Sequence, residues 1–381
     1  MTEPTKRVWA TIDLEALCKN LALVRAHCPE SKIFPVIKSN AYGHGMEQVA
    51  RAITTSHTKI AGFAVATLQE AVELKRLELD RPIMVLNGYV NEDELRLCLD
   101  ESFEPVVHAK YQLELAGEVL SEDFFSGTRK FWIKMNSGMN RLGMSRVESS
   151  EGFLKLHAFP DTELVLMSHL AFADDMNNPE SRAFTDSQME EFLALRKQLK
   201  ESCDDEVEAS IAASAGILTI PESHLSYVRP GVMLYGSSPL AKETGGEVGL
   251  HPVMTLSSRI ISIRDLAAGE SIGYNATYVC EKNTRVGVVS IGYGDGYPRS
   301  AVNGTPVLVK TKTQILRTQL IGRVSMDMIT IDLSGIEDAQ IDDEVILWGT
   351  GLCPDEVSRH AGTISYELFC NVTQRVPYIY V

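Results

Sequence analysis

Hydrophobic and polar positions alternate along the first two-thirds of the chain in a pattern that predicts short buried strands separated by amphipathic helices. Apolar residues recur at helical spacing over 13–27, where Asp13 is the predicted N-cap of the first helix. Short apolar runs then follow, and continuous runs of this kind are typical of strands buried on both faces of a parallel sheet. The predicted strands are 33–38, 61–66, 82–87, 105–108, 131–136, 163–169, 207–212 and 226–230.

The gaps between most of these runs have the length of a helix. Repeated strand–helix units predict an α/β fold, a TIM-like (β/α)8 barrel over residues 1–240. A doubly wound parallel sheet would also alternate strands and helices. That alternative is disfavoured because no G-x-G-x-x-G segment opens a helix after the first strand.

The pattern changes near residue 250, where alternating apolar and polar positions predict antiparallel strands. These strands are predicted at 255–263, 286–291, 306–312 and 328–333. Asn303-Gly304 predicts a turn, which is also a candidate hairpin turn. The glycine- and charge-rich stretch 238–250 is the predicted linker. Residues 241–381 are therefore predicted to form a mainly antiparallel β domain.

Acidic residues outnumber basic ones, and the formal net charge is −15. This charge argues against nucleic acid or an anionic membrane as a partner, although a local cationic pocket can still hold a phosphate. No run reaches the roughly 18 apolar residues of a membrane span, and segment 1–17 lacks the apolar run of a secretory signal. We therefore expect a cytoplasmic protein. The seven cysteines include no C-x-x-C pair, so neither a metal site nor a disulfide framework is predicted.

Active sites of (β/α)8 barrels lie at the carboxyl ends of the strands, and ionisable or amide side chains end most of the predicted strands here. These residues are Lys38, Asn87, His108, Asn136, His169 and Arg229. A lysine partly desolvated in a barrel mouth is a usable amine nucleophile, which makes Lys38 a candidate for covalent chemistry. Tyr42 and the glycines at 43 and 45 allow a ligand to approach closely.

The loops after the last two barrel strands are common phosphate-binding sites. There, Ser214 offers a hydroxyl, and Gly231 and Val232 offer backbone N–H groups. Arg229 ends the last strand and is either part of that site or an ordinary ion pair at the rim. Arg141, after the fifth strand, is suited to hold a carboxylate or a phenolate oxygen.

Together these segments resemble alanine racemase, and the resemblance follows nearly the whole chain in order. It is carried by 35–45 (PVIKSNAYGHG), 134–143 (KMNSGMNRLG), 168–173 (SHLAFA), 228–236 (VRPGVMLYG), 273–278 (GYNATY), 291–299 (IGYGDGYPR), 322–327 (GRVSMD) and 363–367 (TISYE). The resemblance implies a fold-type III enzyme that uses pyridoxal 5′-phosphate and acts on a small amino acid. It also implies a homodimer with shared active sites.

The resemblance implies roles for the matching residues of the barrel and for Tyr366 of the second domain. Lys38 would carry the cofactor as a Schiff base, and Arg229 would face its pyridine nitrogen with His169 behind. Arg141 would contact the cofactor phenolate and the substrate carboxylate, and Lys134 would position Arg141. The cofactor phosphate would be held by Tyr42, Ser214, Gly231, Val232 and Tyr366.

The remaining implied residues belong to the second domain. Tyr274, Met326 and Asp327 would reach the site from the partner subunit, Met326 through its backbone N–H. Tyr293 would narrow the entrance. Tyr274 would have a catalytic role and Met326 would contact the substrate. Asp327 and Tyr293 would support the site.

Racemisation needs a base on each face of the α-carbon, one to remove a proton and one to return it. Lys38 covers one face and Tyr274 the other. Because an unperturbed tyrosine titrates near pH 10, a tyrosine base needs cationic neighbours. Arg229 can only donate, so the pyridine nitrogen stays unprotonated and the ring is a weak electron sink. A weak sink favours proton exchange over transamination or decarboxylation.

The sequence departs from the family pattern at several positions. Asn136 and Ser137 stand where many relatives have aspartate and threonine, and Ala213 stands where asparagine is common. Lys134 matches a lysine that some relatives carry as a carbamate, and the sequence leaves its modification open.

Three other functions remain alternatives at this point. A broad-specificity amino-acid racemase would share these motifs. A fold-type III decarboxylase would want a carboxylate, in place of Arg229, at the pyridine nitrogen. A non-catalytic carrier of the cofactor would leave the β domain and Tyr274 without a role. Whether the reaction serves synthesis or breakdown of D-alanine is open as well.

Overall fold

The first helix begins where the sequence predicts it. The computed structural model describes residues 6–122 and 128–381 and starts with strand β1 (Val8–Ile12). Asp13 Oδ1 accepts a hydrogen bond from Ala16 N at 2.8 Å and caps helix α1 (Leu14–His27). The apolar face of α1 is buried, as the helical spacing of its leucines requires.

Short parallel strands follow in the order predicted. They are β2 (Lys32–Ile33), β3 (Phe63–Val65), β4 (Ile83–Val85), β5 (Phe103–Val107), β6 (Arg129–Lys134), β7 (Thr162–Met167), β8 (Glu208–Ser210) and β9 (Tyr227–Val228). Strands β3 to β8 form one curled sheet in chain order, and β2 pairs with β9. Single bridges, Val36 to Ala64 and Ala213 to Arg229, join this pair to both edges of the sheet. The predicted barrel architecture is therefore confirmed.

Helices connect the barrel strands. They are α2 (Lys38–Gly43), α3 (Met46–Thr55), α4 (Leu68–Lys75), α5 (Glu92–Asp100), α6 (Lys110–Glu122), α7 (Arg146–His157), α8 (Pro179–Cys203) and α9 (Ser214–Thr219). Within the described ranges, no helix combines the length and the apolar character that a bilayer crossing needs.

The inside of the barrel is filled at the amino-terminal end of its strands. Lys130, Trp132 and Lys134 alternate along β6, so all three side chains face the interior. The Trp132 ring packs edge-to-face against Phe34 and Tyr227, with centroids 5.3 and 4.9 Å apart. The Lys130 ammonium donates to Tyr227 Oη at 2.6 Å. These side chains fill the amino-terminal end of the barrel, and Lys134 faces the carboxyl end of the strands.

The second domain is mainly antiparallel, as predicted. Its elements are β10 (Met254–Leu266), β11 (Ser271–Ile272), β12 (Tyr278–Val279), β13 (Thr284–Val289), β14 (Pro306–Lys310), β15 (Ile315–Gln319), β16 (Ile329–Asp332), β17 (Glu344–Trp348), α10 (Pro354–His360), α11 (Ser365–Cys370) and β18 (Tyr378–Tyr380). The main sheet has the order β15-β14-β17-β10-β1-β18, and β13 joins β10 to β16. Strand β1 thus lies in the sheet of the second domain, although it precedes the barrel in the chain.

The hairpin reading of Asn303-Gly304 is wrong. The turn is present and Gly304 has a φ of 91°, but strand β14 pairs with β15, which follows it. The hairpin therefore turns between those two strands, after residue 310. Asn303 Oδ1 instead accepts a hydrogen bond from Gly322 N at 2.7 Å, which fixes the turn against another loop.

Asn20, on helix α1, holds together segments that are distant in the chain. Its side chain is fully buried. Nδ2 donates to Leu234 O at 3.0 Å and to His251 O at 2.8 Å, and Oδ1 accepts from His251 N at 2.8 Å. The amide therefore ties helix α1 to the chain just before and just after the predicted linker.

We expect Asn20→Ala to lower the free energy of unfolding by about 2 to 4 kcal/mol, because buried backbone groups lose their partner. Urea denaturation followed by circular dichroism measures the loss. Asn177→Ala is the matched control, since that side chain is exposed and its removal should change stability by less than about 0.5 kcal/mol. Equal stability of the two variants would contradict the role of Asn20.

Candidate active site

A cavity of about 860 Å³ opens at the carboxyl ends of the barrel strands. The structure brings ten of the predicted site residues to its wall. They are Lys38, Tyr42, Lys134, Arg141, His169, Ser214, Arg229, Gly231, Val232 and Tyr366. Asn87 also lines the cavity, whereas His108 does not and lies with its Nε2 2.9 Å from Asn87 O.

A turn of left-handed helix follows Lys38. Residues 39–42 have φ between 52° and 55°. Because an L-residue costs about 1–2 kcal/mol in this region, four in succession persist only where the surroundings impose them. Asn40 contributes, since its Oδ1 accepts from Met46 N at 2.8 Å. The turn places the side chains of Lys38 and Tyr42 on the wall of one cavity.

Hydroxyls and backbone N–H groups line one end of the cavity. Ser214 Oγ accepts from Gly231 N at 2.9 Å and from Met233 N at 3.4 Å. A Cβ on Gly231 would lie 2.6 Å from Tyr42 Oη, so glycine keeps this corner open. Burial raises the pKa of both Tyr42 and Tyr366, which keeps them protonated as donors. The arrangement suits a small anion with several acceptor oxygens.

Arg229 is a buried guanidinium held by neutral acceptors. It donates to Ser210 Oγ, to Ser168 O at 2.7 Å and to Ile211 O at 3.4 Å. In the part of the chain that the structure describes, no carboxylate forms an ion pair with it. Burial lowers the pKa of Arg229 to about 9, so it remains a cation at neutral pH. Its position is fixed while its charge stays uncompensated.

Positive charge is concentrated around the cavity. Burial, followed by repulsion from Arg229, Arg141 and Lys38, lowers the pKa of Lys134 to about 8. Burial and the same cationic surroundings hold the pKa of His169 well below its usual range, so this ring is neutral at pH 7. The cavity is therefore prepared for a negatively charged ligand.

Four predicted site residues of the second domain, Tyr274, Tyr293, Met326 and Asp327, do not line this cavity, whereas Tyr366 of the same domain does. Tyr274, Tyr293 and Met326 are 68%, 41% and 53% exposed, and Asp327 is exposed as well. Tyr293 N donates to Ser325 O at 3.1 Å, which brings two of these loops together. One chain therefore does not place these side chains beside Lys38.

The departures from the family pattern have visible consequences. Asn136 Oδ1 accepts from Gly138 N at 3.1 Å and from Asn140 N at 3.0 Å. The amide thus organises the loop that leads to Arg141 without adding a negative charge. Ala213 presents a methyl group to the cavity, so its side chain makes no polar contact there.

Two supporting residues lie outside the sequence prediction. Glu70 Oε1 accepts from Ser39 N at 2.6 Å, and Ser210 Oγ accepts from Arg229. Glu70 has a sequence signal, the T-x-x-E spacing of a capping box that begins at Thr67. Ser210 lies within a strand, where one serine has no such signal.

The family models that match the chain are described as the alanine racemase N-terminal domain, over residues 12–239, and the alanine racemase C-terminal domain, over residues 253–380. The alanine racemase of Vibrio vulnificus is 42% identical over 379 residues, 98% of this chain and 99% of that protein. The biosynthetic alanine racemase of Pseudomonas aeruginosa is 42% identical over 369 residues, 97% of each chain.

Solved structures agree with these matches. The crystal structure of the biosynthetic alanine racemase from Pseudomonas aeruginosa superposes with a TM-score of 0.90 at 42% identity, over 99% of this chain and 100% of that one. Alanine racemase from Bartonella henselae, with covalently bound pyridoxal phosphate, gives a TM-score of 0.84 at 26% identity, over 99% and 100%.

We expect Lys134→Met, a change of similar volume, to stabilise the ligand-free protein at pH 7. Folding at that pH buries an amine whose pKa falls from about 10.4 in the unfolded chain to about 8. Between pH 8 and pH 10 the folded protein sheds this proton before the unfolded chain does, so wild-type stability rises. The advantage of the variant should shrink by about 2 kcal/mol between pH 7 and pH 10.

Urea denaturation at the two pH values makes this measurement. Lys197→Met, on an exposed face of α8, is the control and should show no such pH-dependent difference. A loss of stability on Lys134→Met at pH 7 would contradict a buried cation and would indicate a modified, negatively charged residue instead.

Proposed function

The chain belongs to the alanine racemase family, and we propose that it interconverts L- and D-alanine with pyridoxal 5′-phosphate, using Lys38 and Tyr274 as the two bases. One observation carries the proposal. The cavity combines a partly desolvated lysine, a corner of hydroxyl and backbone donors, and a buried arginine that has no ion-pair partner among residues 6–122 and 128–381. A phosphorylated aldehyde that binds amines has complementary groups for all three features.

The residues present fit this cofactor. The corner formed by Tyr42, Ser214 and Gly231 is open where a Cβ would otherwise lie, and it offers donors that a phosphate can use. With Val232 and Tyr366, these residues would hold the phosphate. Lys38 lies on the wall of the same cavity and would provide the amine for covalent attachment.

Arg229 and His169 would set the electronic character of the bound cofactor. When bound, pyridoxal 5′-phosphate makes the α-proton of an attached amino acid acidic by drawing electrons toward its ring. Arg229 can only donate a hydrogen bond, so it would leave the pyridine nitrogen unprotonated. His169 is neutral and does not reverse this effect. The resulting weak electron sink favours return of the proton at the α-carbon.

Lys38 is suited to act as a base because its amine is partly desolvated and lies near another cation. Burial and the charge of Arg141 lower the pKa of the Lys38 amine, which favours its neutral, basic form. Arg141 lies on the same cavity wall and would bind the substrate carboxylate by charge-assisted hydrogen bonds. Lys134 would support Arg141 from inside the barrel.

Tyr274 would supply the second base from another subunit. It is exposed on its own chain, together with Met326 and Met328, and such an apolar surface is typical of an interface. We propose a homodimer in which Tyr274, Met326 and Asp327 of one subunit complete the cavity of the other. Tyr293 would narrow the entrance to that composite site.

The direct experiment is to incubate the cofactor-loaded protein with L-alanine and to follow the appearance of D-alanine. We expect conversion toward an equal mixture of the two enantiomers, since their free energies are the same in water. Other L-amino acids in parallel reactions separate an alanine racemase from a broad-specificity enzyme. Absence of racemisation by cofactor-loaded protein would refute the proposal.

Borohydride reduction of the loaded protein followed by peptide mapping tests the attachment site. We expect the label on Lys38, because it is the cavity lysine that immediately precedes the left-handed turn at the mouth. Lys134 is the internal control, since it lines the same cavity. A label on Lys134 in place of Lys38 would show that our proposal names the wrong lysine.

Mixing two inactive variants tests whether Tyr274 acts across subunits. Lys38→Ala and Tyr274→Phe should each lower kcat by about 10²-fold or more. A dimer containing one chain of each kind retains one complete site. Random reassociation of equal amounts should therefore restore about one quarter of wild-type activity. Tyr274→Phe alone should keep the visible absorption of the cofactor, and failure of the mixture to regain activity would count against sharing.

A further inference from the structure

The carboxylate of Glu70 connects helix α4 to the turn that carries Lys38. Oε2 accepts from Ala66 N at 2.8 Å and from Thr67 N at 3.2 Å, at the start of α4. Oε1 accepts from Ser39 N at 2.6 Å. One side chain thus satisfies backbone donors of two loops that follow neighbouring barrel strands.

A capping box explains half of this arrangement. Thr67 Oγ1 accepts a hydrogen bond from Glu70 N at 3.2 Å, and Glu70 Oε2 in turn accepts one from Thr67 N. That exchange needs one oxygen, and glutamine performs it as well as glutamate does. The contact of Oε1 with Ser39 is additional and has no part in capping α4.

Ser39 is the first residue of the left-handed turn. The N–H groups at the start of any helix have no partner inside it, so they need an external acceptor. Neutral hydrogen bonds hold later parts of the turn. Asn40 Oδ1 accepts from Met46 N, and the Tyr378 hydroxyl donates to Gly43 O. Glu70 provides the charged contact, and it does so at the residue next to Lys38.

The same carboxylate also acts on the Lys38 amine. Burial and Arg141 lower the pKa of Lys38, whereas Glu70 and Cys370 oppose that change. Lys134 lines the same cavity, and the charge of Lys38 helps to lower the pKa of Lys134. Glu70 therefore combines a fixed geometry with a favourable charge beside the proposed base.

We propose that Glu70 is a positioning residue for racemisation, because its carboxylate fixes the strained turn that aims the Lys38 amine into the cavity. This inference rests on the proposed role of Lys38. It concerns a residue that does not line the cavity.

Glu70→Gln is the informative variant. Its amide oxygen can keep the capping box of α4, which leaves an NH2 group facing Ser39 N, donor against donor. Thr67→Ala is the matched control, since it removes the side-chain cap of α4 and leaves both oxygens of Glu70 in place. Comparison of the two separates the turn contact from helix stability.

The first readout uses protein without cofactor. Trace acetylation with acetic anhydride across a pH series, followed by peptide mapping, gives the pKa of the Lys38 amine and its reactivity. We expect Glu70→Gln to lower that pKa relative to wild type, because the opposing negative charge is gone. Thr67→Ala should leave it unchanged.

The second readout is the pH profile of kcat in both directions of racemisation. Glu70→Gln should lower kcat about tenfold with a smaller change in KM, because a displaced base affects the transition state more than binding. In the direction where Lys38 removes the proton, the rise of activity should move to lower pH. Thr67→Ala should stay within about twofold of wild type.

The outcomes are separable from those that test the proposed function. Wild-type values of both the Lys38 pKa and kcat in Glu70→Gln would overturn the inference, provided that the wild-type enzyme racemises alanine. Equal defects in Glu70→Gln and Thr67→Ala would overturn it too, because helix capping would then explain them. Cofactor mapped to another lysine would refute the proposed function itself.

Discussion

Uncompensated positive charge at one end of the barrel is the constraint on which the rest of this structure depends. Lys134 and Arg229 are buried there, with Lys38 and Arg141 close by, and no carboxylate of the described chain pairs with the buried arginine. Burying like charges together is unfavourable, and the lowered pKa of Lys134 and of His169 records that cost. Binding of a negatively charged ligand therefore stabilises a folded protein that has a site of this kind.

Two lysines of strand β6 show that the uncompensated positive charge is confined to the cavity. Lys130 and Lys134 lie on the same face, but Lys130 has carboxylates of Glu163 and Glu208 within 3.5 and 3.6 Å. The floor of the barrel is thus neutralised by the chain itself, whereas the mouth is left for a ligand. Arg229 follows the same logic, because carbonyl and hydroxyl oxygens fix its position without cancelling its charge.

The sequence predicted those parts of the site that depend on local pattern. Buried strands have continuous apolar runs, so the ends of the strands, and with them Lys38 and Arg229, could be located by counting. The left-handed turn could not be predicted, since residues 39–42 have no glycine and depend on contacts with α4 and β18. Strand β1 was equally inaccessible, because its pairing with β10 joins segments about 245 residues apart, and nothing local encodes it.

The way in which the mainly antiparallel domain is attached to the barrel bears on the proposed second base. Tyr274 lies on the surface of that domain and cannot act on the cavity of its own chain unless the domains rearrange. Such a rearrangement is opposed by β1, which belongs to the sheet of the second domain and leads directly into α1, and by Asn20, which ties α1 to the chain just before and just after the linker. If the domains keep this arrangement, a base from a second copy is the simpler route. In the dimer that we propose, the two bases would come from different subunits, so the lysine and the tyrosine would approach the α-carbon from opposite sides without competing for one wall of the cavity.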